Sequence, residues 1–160
     1  EKGTGGKMRF EEQIEGLGSK IGVPLQVDDE GTCVLSVDDM TVTLQSIPES
    51  EAAGFWGEIG EPPPQGLEKL LSAMLEANHM FRGTGGATIS RDSETGSFFL
   101  CRILDLRSLD ADAFSMALER FVNTLEAWIG LVKDYREVAP DAPAEPDVGP
   151  GLRNDGFLAV

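Results

Sequence analysis

The sequence predicts an α+β protein in which helices pack against a twisted, mostly antiparallel sheet. Three observations predict this class. Apolar residues recur at helical spacing in three segments, the stretches between them alternate apolar and polar residues, and turn-forming sequences join neighbouring stretches. The elements follow in the order α-β-β-β-α-β-β-α, so helices and strands are segregated and consecutive strands can pair as hairpins. The length of 160 residues suits one such domain.

The first half of the domain is predicted to be one helix followed by three strands. Four apolar residues on one helical face indicate the helix: Phe10, Ile14, Leu17 and Ile21. Residues 32–37 and 40–47 alternate as strands with one buried face do, and the Asp38-Asp39 pair between them suits a tight turn. A third strand is predicted over residues 54–59, before a run of three prolines.

The second half is predicted to be a helix, two strands and a long final helix. The helix that follows the prolines is apolar around more of its circumference than one contact would bury. Strands are predicted at residues 87–91 and 97–104, joined by turn-forming residues. The final helix, from about Asp110 to before Pro140, has the cleanest repeat, formed by Phe114, Leu118, Phe121, Leu125, Trp128, Val132 and Tyr135.

The strand at 97–104 is apolar on both of its faces. One face carries Phe98, Leu100 and Leu104, and the other carries Phe99, Cys101 and Ile103. A small antiparallel sheet usually exposes one face to water. The pattern therefore indicates a second covering layer, which could be the long final helix, a second subunit or a partner.

The composition changes at both ends of the chain. Residues 1–7 lack an apolar repeat and are interpreted as a tag remnant outside the fold, with Met8 as the natural start. The domain proper is predicted over residues 8–138. Residues 139–160 form a tail rich in Pro, Asp and Gly. It ends in apolar residues that could occupy a groove of the same protein, namely Phe157, Leu158 and Val160.

Charge and composition exclude several kinds of partner. Lys and Arg number 13 and Asp and Glu number 28, which gives a net charge of −15. Nucleic acids and anionic membranes would repel such a chain, so neither is expected as a partner. Two cysteines are too few for a disulfide framework, and no signal peptide is visible. A cytoplasmic setting is therefore predicted.

The residues that usually carry chemistry do not form a catalytic pattern in the sequence. His79 is the single histidine, and Cys33 and Cys101 fall inside predicted strands without metal-ligand spacing. The glycine-rich stretch at 83–86 follows a helix and does not precede one, so it lacks the arrangement of a phosphate loop. We therefore expect no enzyme activity, no metal and no cofactor.

Three stretches of the chain resemble the type III secretion chaperones of the Tir chaperone (CesT-like) family, specifically the class I effector chaperones. Residues 24–39, PLQVDDEGTCVLSVDD, are similar to the family's first strand pair. Residues 67–106 are similar to its block that contains LL-x-x-LL-x-AN and a later D-x-x-T-G. Residues 121–132 resemble its closing helix, with Glu126 and Trp128 in a Glu-x-Trp pair.

The resemblance implies a cytoplasmic bacterial homodimer that binds the N-terminal segment of a secreted effector in extended form. It implies no cofactor, no nucleic acid and no membrane. The groove for the effector is expected between the first helix and the sheet, lined by Phe10, Ile14, Leu17, Leu25, Val27 and Val34. The dimer interface is expected at Leu71, Met74, Leu75, Phe98 and Leu100. The alternative function is a dimeric regulatory or scaffold domain of the same fold that binds a folded partner.

Overall fold

The computed structural model describes residues 2–138 and has the predicted order of elements. They are α1 (Lys2–Ile21), β1 (Thr32–Val37), β2 (Met40–Ile47), β3 (Ala52–Gly60), α2 (Leu67–Asn78), β4 (Thr88–Arg91), β5 (Phe98–Asp105) and α3 (Ala111–Val138). The predictions for residues 139–160 lie outside the described residues, and so does the hypothesis about Phe157, Leu158 and Val160. No helix within residues 2–138 has both the length and the apolar character needed to span a membrane.

The five strands form one sheet in the order β1-β2-β3-β5-β4, with β1 and β4 at its edges. Every neighbouring pair is antiparallel, which confirms the α+β class and the antiparallel sheet. A two-residue turn joins β1 to β2, and Asp38 takes the left-handed backbone that such turns require, with a φ of 51°.

The core lies between one face of the sheet and the helices. The Phe55 ring of β3 meets two rings of α3 edge to face, with centroids 5.4 Å from Phe114 and 5.8 Å from Phe121. Gly57 lets α3 come close to β3, because a Cβ at this position would collide with the side chain of Leu125. All the residues of the predicted α3 repeat are buried except Tyr135, which is partly buried against the core.

The helix α1 begins earlier than predicted, so residues 2–7, which were expected to lie outside the fold, are helical. It starts at Lys2, and Gly6 is buried against the short 3-10 turn that follows β2. A Cβ on Gly6 would lie 2.8 Å from the Pro48 carbonyl oxygen, so only glycine fits this approach. The segment has no apolar repeat from which a helix could be predicted. That it is a tag remnant stays a prediction.

Candidate functional site

Half of the residues predicted to line the groove are core residues, namely Phe10, Ile14 and Leu17. They are at most 5% exposed, because α1 has a single apolar face and that face packs into the core. This corrects their assignment to surface pockets. Leu25 and Val27 are partly buried in the segment between α1 and β1, and Val34 is 59% exposed. Val34 alternates with the buried Cys33 and Leu35, so it lies on the face of β1 away from α1. A groove beside α1 therefore depends on Leu25 and Val27.

A shallow cavity of about 400 Å³ opens where α1 ends and the chain turns back towards β1. It is lined by Glu15, Gly18, Ser19, Gly22, Val23, Pro24 and Leu25. The turn is tight: the Val23 N–H donates to the Gly18 carbonyl at 3.1 Å, and a Cβ on Gly18 would lie 2.8 Å from the Val23 carbonyl oxygen. The side chains of Ile21 and Val23 are exposed here. We call this cavity the α1-end groove.

The outer edge of β1 presents backbone groups that are free to pair. The Thr32 N–H donates to the Asp28 carboxylate at 2.8 Å, and the Thr32 carbonyl accepts from the Asp28 N–H at 2.9 Å. The backbone N–H and carbonyl of Thr32 therefore point away from β2. Those of Val34 and Ser36 point the same way, because the hydrogen-bonding direction alternates from one strand residue to the next. Nothing within residues 2–138 pairs with Val34 or Ser36 on this side. An extended chain could add to this edge.

The opposite edge of the sheet is closed by one side chain. The Ile89 N–H of β4 donates to Asn78 Oδ1 at 2.8 Å, and Asn78 Nδ2 donates to the Ile89 carbonyl at 3.1 Å. The amide of Asn78, at the end of α2, thus takes the hydrogen bonds that a further strand would make. This asparagine is the last residue of the LL-x-x-LL-x-AN pattern.

Replacing Asn78 by Ala should destabilise the fold by about 1–3 kcal/mol, because both outward backbone groups of Ile89 lose their partners. Urea unfolding measures the free energy, and amide exchange at Ile89 should accelerate in parallel. The exposed Asn123 of α3 provides a matched control, since Asn123→Ala should change stability by less than about 0.5 kcal/mol. An Asn78→Ala protein with wild-type stability and wild-type exchange would show that the amide does not hold this edge.

The residues predicted at the dimer interface divide between core and surface. Met74, Phe98 and Leu100 are buried in the core, which corrects their assignment to an exposed face. Leu71 is partly buried, and Leu75 is 70% exposed. Only Leu75 of this set presents a largely free apolar side chain.

The exposed apolar side chains of β5 lie on the face of the sheet opposite the core. Phe98, Leu100 and Leu104 of β5 are buried in the core, so Phe99, Cys101 and Ile103, which alternate with them, point to the other face. Trp56 of β3 pairs with Cys101 and lies on the same face. We call Trp56, Phe99, Cys101 and Ile103 the open-face patch. Within it, Ile103 is 72% exposed.

A second apolar surface follows the end of α2. Leu75, Met80 and Phe81 are all exposed, and we call them the α2-end patch. Met80 and Phe81 have left-handed backbones with φ of 54° and 56°. Such a conformation costs a side-chain-bearing residue on the order of 1–3 kcal/mol. Here it places two large apolar side chains in solvent next to each other.

The ionisable groups near these surfaces are explained by their local contacts. Burial, with a smaller contribution from the charge of Asp28, raises the pKa of the Cys33 thiol, which therefore stays protonated. At the end of β5 the Arg107 guanidinium donates to the Asp105 carboxylate and lowers its pKa to about 2. Among the described residues, no group of three or more His, Cys, Asp or Glu side chains could hold a metal ion.

The chain matches a family model and several solved structures. Residues 12–129 match the model of the Tir chaperone protein (CesT) family. The structure of the HopA1–SchA chaperone–effector complex is similar, with a TM-score of 0.62 and 18% identity, over 82% of this chain and 95% of that chain. The ExsC–ExsE complex has a TM-score of 0.64 and 22% identity, over 76% of this chain and 91% of that chain.

A third similar structure comes from Yersinia pestis. It contains the type III secretion chaperone SycH in complex with a stable fragment of YscM2, and it has a TM-score of 0.61 and 16% identity. The match covers 74% of this chain and 98% of that chain. At these identities the three structures establish a shared fold. No curated protein matches the chain in sequence.

Proposed function

The chain belongs to the Tir chaperone protein (CesT) family, and on this premise we propose that it is a type III secretion chaperone. It binds the N-terminal segment of a secreted effector in extended form and keeps that segment soluble and ready for secretion. The observation that carries this proposal is the asymmetry of the sheet: the β1 edge is open, while Asn78 closes the β4 edge. The likeness to a chaperone–effector complex supports an effector as the partner.

The effector segment adds to β1 as a further strand. Its backbone pairs with the outward N–H and carbonyl groups of Val34 and Ser36, which gives affinity without dependence on effector sequence. Its apolar side chains contact Leu25 and Val27, which lie in the segment that leads into β1, and enter the α1-end groove beside them. Backbone pairing together with side-chain pockets suits an effector that is not folded when it is bound.

The chaperone is a homodimer in this proposal. The α2-end patch is exposed, and in the open-face patch the exposed Ile103 lies on the same face as the partly buried Trp56, Phe99 and Cys101. Apolar surfaces of this kind mark protein interfaces. The proposed interface contains Phe99 and Ile103, on the face of β5 opposite the buried Phe98 and Leu100, and it keeps Leu75 from the predicted set. A second copy of the chain would remove these side chains from water.

In this proposal the protein acts only by binding and catalyses no reaction. It works in the bacterial cytoplasm. The family is a chaperone family, which is not a class of enzymes. The net charge of −15 works against binding to nucleic acids or to anionic membranes. The partners of the protein are therefore a second copy of itself and an effector.

The proposal is tested by capture of the partner with the full-length protein, under conditions that induce secretion in the native organism. We expect a co-purifying protein that limited proteolysis and hydrogen exchange find protected over one continuous, non-globular stretch near its N-terminus. Coupled folding and wrapping of this kind buries on the order of 1,000–3,000 Å². A partner protected as a folded domain would overturn the proposal and favour a regulatory or scaffold domain.

A further inference from the structure

Two arginines from distant parts of the chain meet beside the glycine-rich turn at residues 83–86. Arg102 lies on β5 and points to the same face of the sheet as its buried neighbours Leu100 and Leu104. Arg120 lies on α3. Burial and then the positive charge of Arg120 lower the pKa of Arg102, so the two guanidinium groups interact unfavourably.

The turn brings its backbone against both arginines. Gly85 and Gly86 have left-handed φ values of 60° and 91°, which glycine adopts without strain. A Cβ on Gly85 would lie 3.5 Å from the Arg120 Cδ, and a Cβ on Gly86 would lie 3.4 Å from Arg102 Nη2. The two glycines therefore leave the guanidinium of Arg102 close to an exposed stretch of backbone.

Several polar atoms here lack partners among the described residues. Arg102 Nη1 is buried and makes no hydrogen bond, and the hydroxyl of Thr84, a residue only 1% exposed, makes none either. Ion pairs elsewhere in residues 2–138 engage four other basic side chains, but neither Arg102 nor Arg120. Leaving a buried charged donor unpaired is unfavourable.

We propose that Arg102, Arg120 and the turn at residues 83–86 form a binding site for one oxyanion, a carboxylate or a phosphate. The anion offsets the repulsion between the arginines and accepts from the unpaired guanidinium. A cavity of about 520 Å³, whose lining includes Arg120 and Gly83, opens beside the site. Glu119 also lines this cavity but forms no ion pair with Arg120.

Two sources could supply the oxyanion for this site. One is free phosphate, and the other is the tail of the same chain, whose sequence contains Asp141, Glu145 and Asp147. The two sources compete for one site. Neutralising the three tail residues together, as D141N, E145Q and D147N, should therefore raise the affinity for phosphate if the tail carboxylates occupy the site. It should leave the affinity unchanged if free phosphate is the ligand.

The test is a titration of the full-length protein with inorganic phosphate at constant ionic strength, with chloride as the reference salt. The amide resonances of Gly85 and Gly86 should shift saturably, and the melting temperature should rise by about 2–4 °C at saturation. Arg120→Gln should weaken phosphate binding at least tenfold. The matched control Lys69→Gln makes the same charge change on an exposed face of α2 and should bind as the wild type does.

Arg120→Gln has a second signature that separates lost binding from a damaged fold. Without phosphate this variant should melt at or above the wild-type temperature, because it removes a like charge next to Arg102. The proposal is overturned if phosphate shifts the Gly85 and Gly86 resonances no more than chloride does. It is equally overturned if Arg120→Gln binds phosphate with wild-type affinity.

Discussion

The Ile103→Asp protein should be monomeric at concentrations at which the wild-type protein is a dimer. Ile103 is 72% exposed on the face of β5 opposite the core, so a second copy that covers this face would bury the new carboxylate without a partner. An uncompensated charge in an interface costs several kcal/mol, and we expect the dissociation constant to rise at least about a hundredfold. Light scattering after size-exclusion chromatography, or sedimentation, measures this directly.

The control variant places the same charge on the same face of the sheet but two strands away from Ile103. Thr41 of β2 is exposed and lies four residues along the strand from Gln45, the β2 residue in line with Ile103, so Thr41→Asp should remain dimeric. Measured on monomers, the denaturant midpoints of both variants should lie close to that of the wild-type protein, since both side chains are already exposed in the protomer. A dimeric Ile103→Asp protein would move the interface elsewhere, and Leu75→Asp would then test the α2-end patch.

The elements could be predicted because each depends on local pattern. The strands at residues 32–37 and 40–47 occupy the same residues in the structure, since strict alternation and a two-residue turn leave little freedom in register. The repeat on α3 likewise predicts its buried face, because Phe114 and Phe121 can only meet Phe55 from one side of the helix. Hydrophobic periodicity involves only residues that are near each other in sequence, and it is sufficient to predict where these helices and strands lie.

The surfaces could not be predicted because they depend on contacts between distant residues. Both faces of β5 are apolar, so the pattern alone cannot decide whether Phe98 or Phe99 meets the helices, and Phe98 and Leu100 of the predicted interface are buried in the core. That the β4 edge is closed follows only from the structure, in which the Asn78 side chain bonds the backbone of Ile89. The turn at residues 83–86 lacks a phosphate-loop arrangement in sequence, and only the fold brings Arg102 and Arg120 against it.

The Ser36→Pro protein should lose most of its affinity for the effector segment while it keeps its fold. The Ser36 N–H points away from β2, where proline is tolerated because no ladder hydrogen bond is lost. An added strand, however, needs that donor and must pass the proline ring. With each backbone hydrogen bond worth about 0.5–1.5 kcal/mol, we expect affinity to fall roughly tenfold to a hundredfold. Calorimetry with the mapped effector segment measures the loss.

Ser36→Ala separates the backbone from the side chain. It removes the hydroxyl but keeps the N–H, so this variant should bind the effector segment with wild-type affinity and should protect its own β1 amides from exchange when bound. Loss of affinity in Ser36→Ala would instead assign recognition to the hydroxyl. If Ser36→Pro binds as the wild type does, the segment does not pair with β1. Because Asn78 closes the β4 edge, side-chain contacts in the α1-end groove would then have to carry the binding, and substitutions at Leu25 would show the large effect.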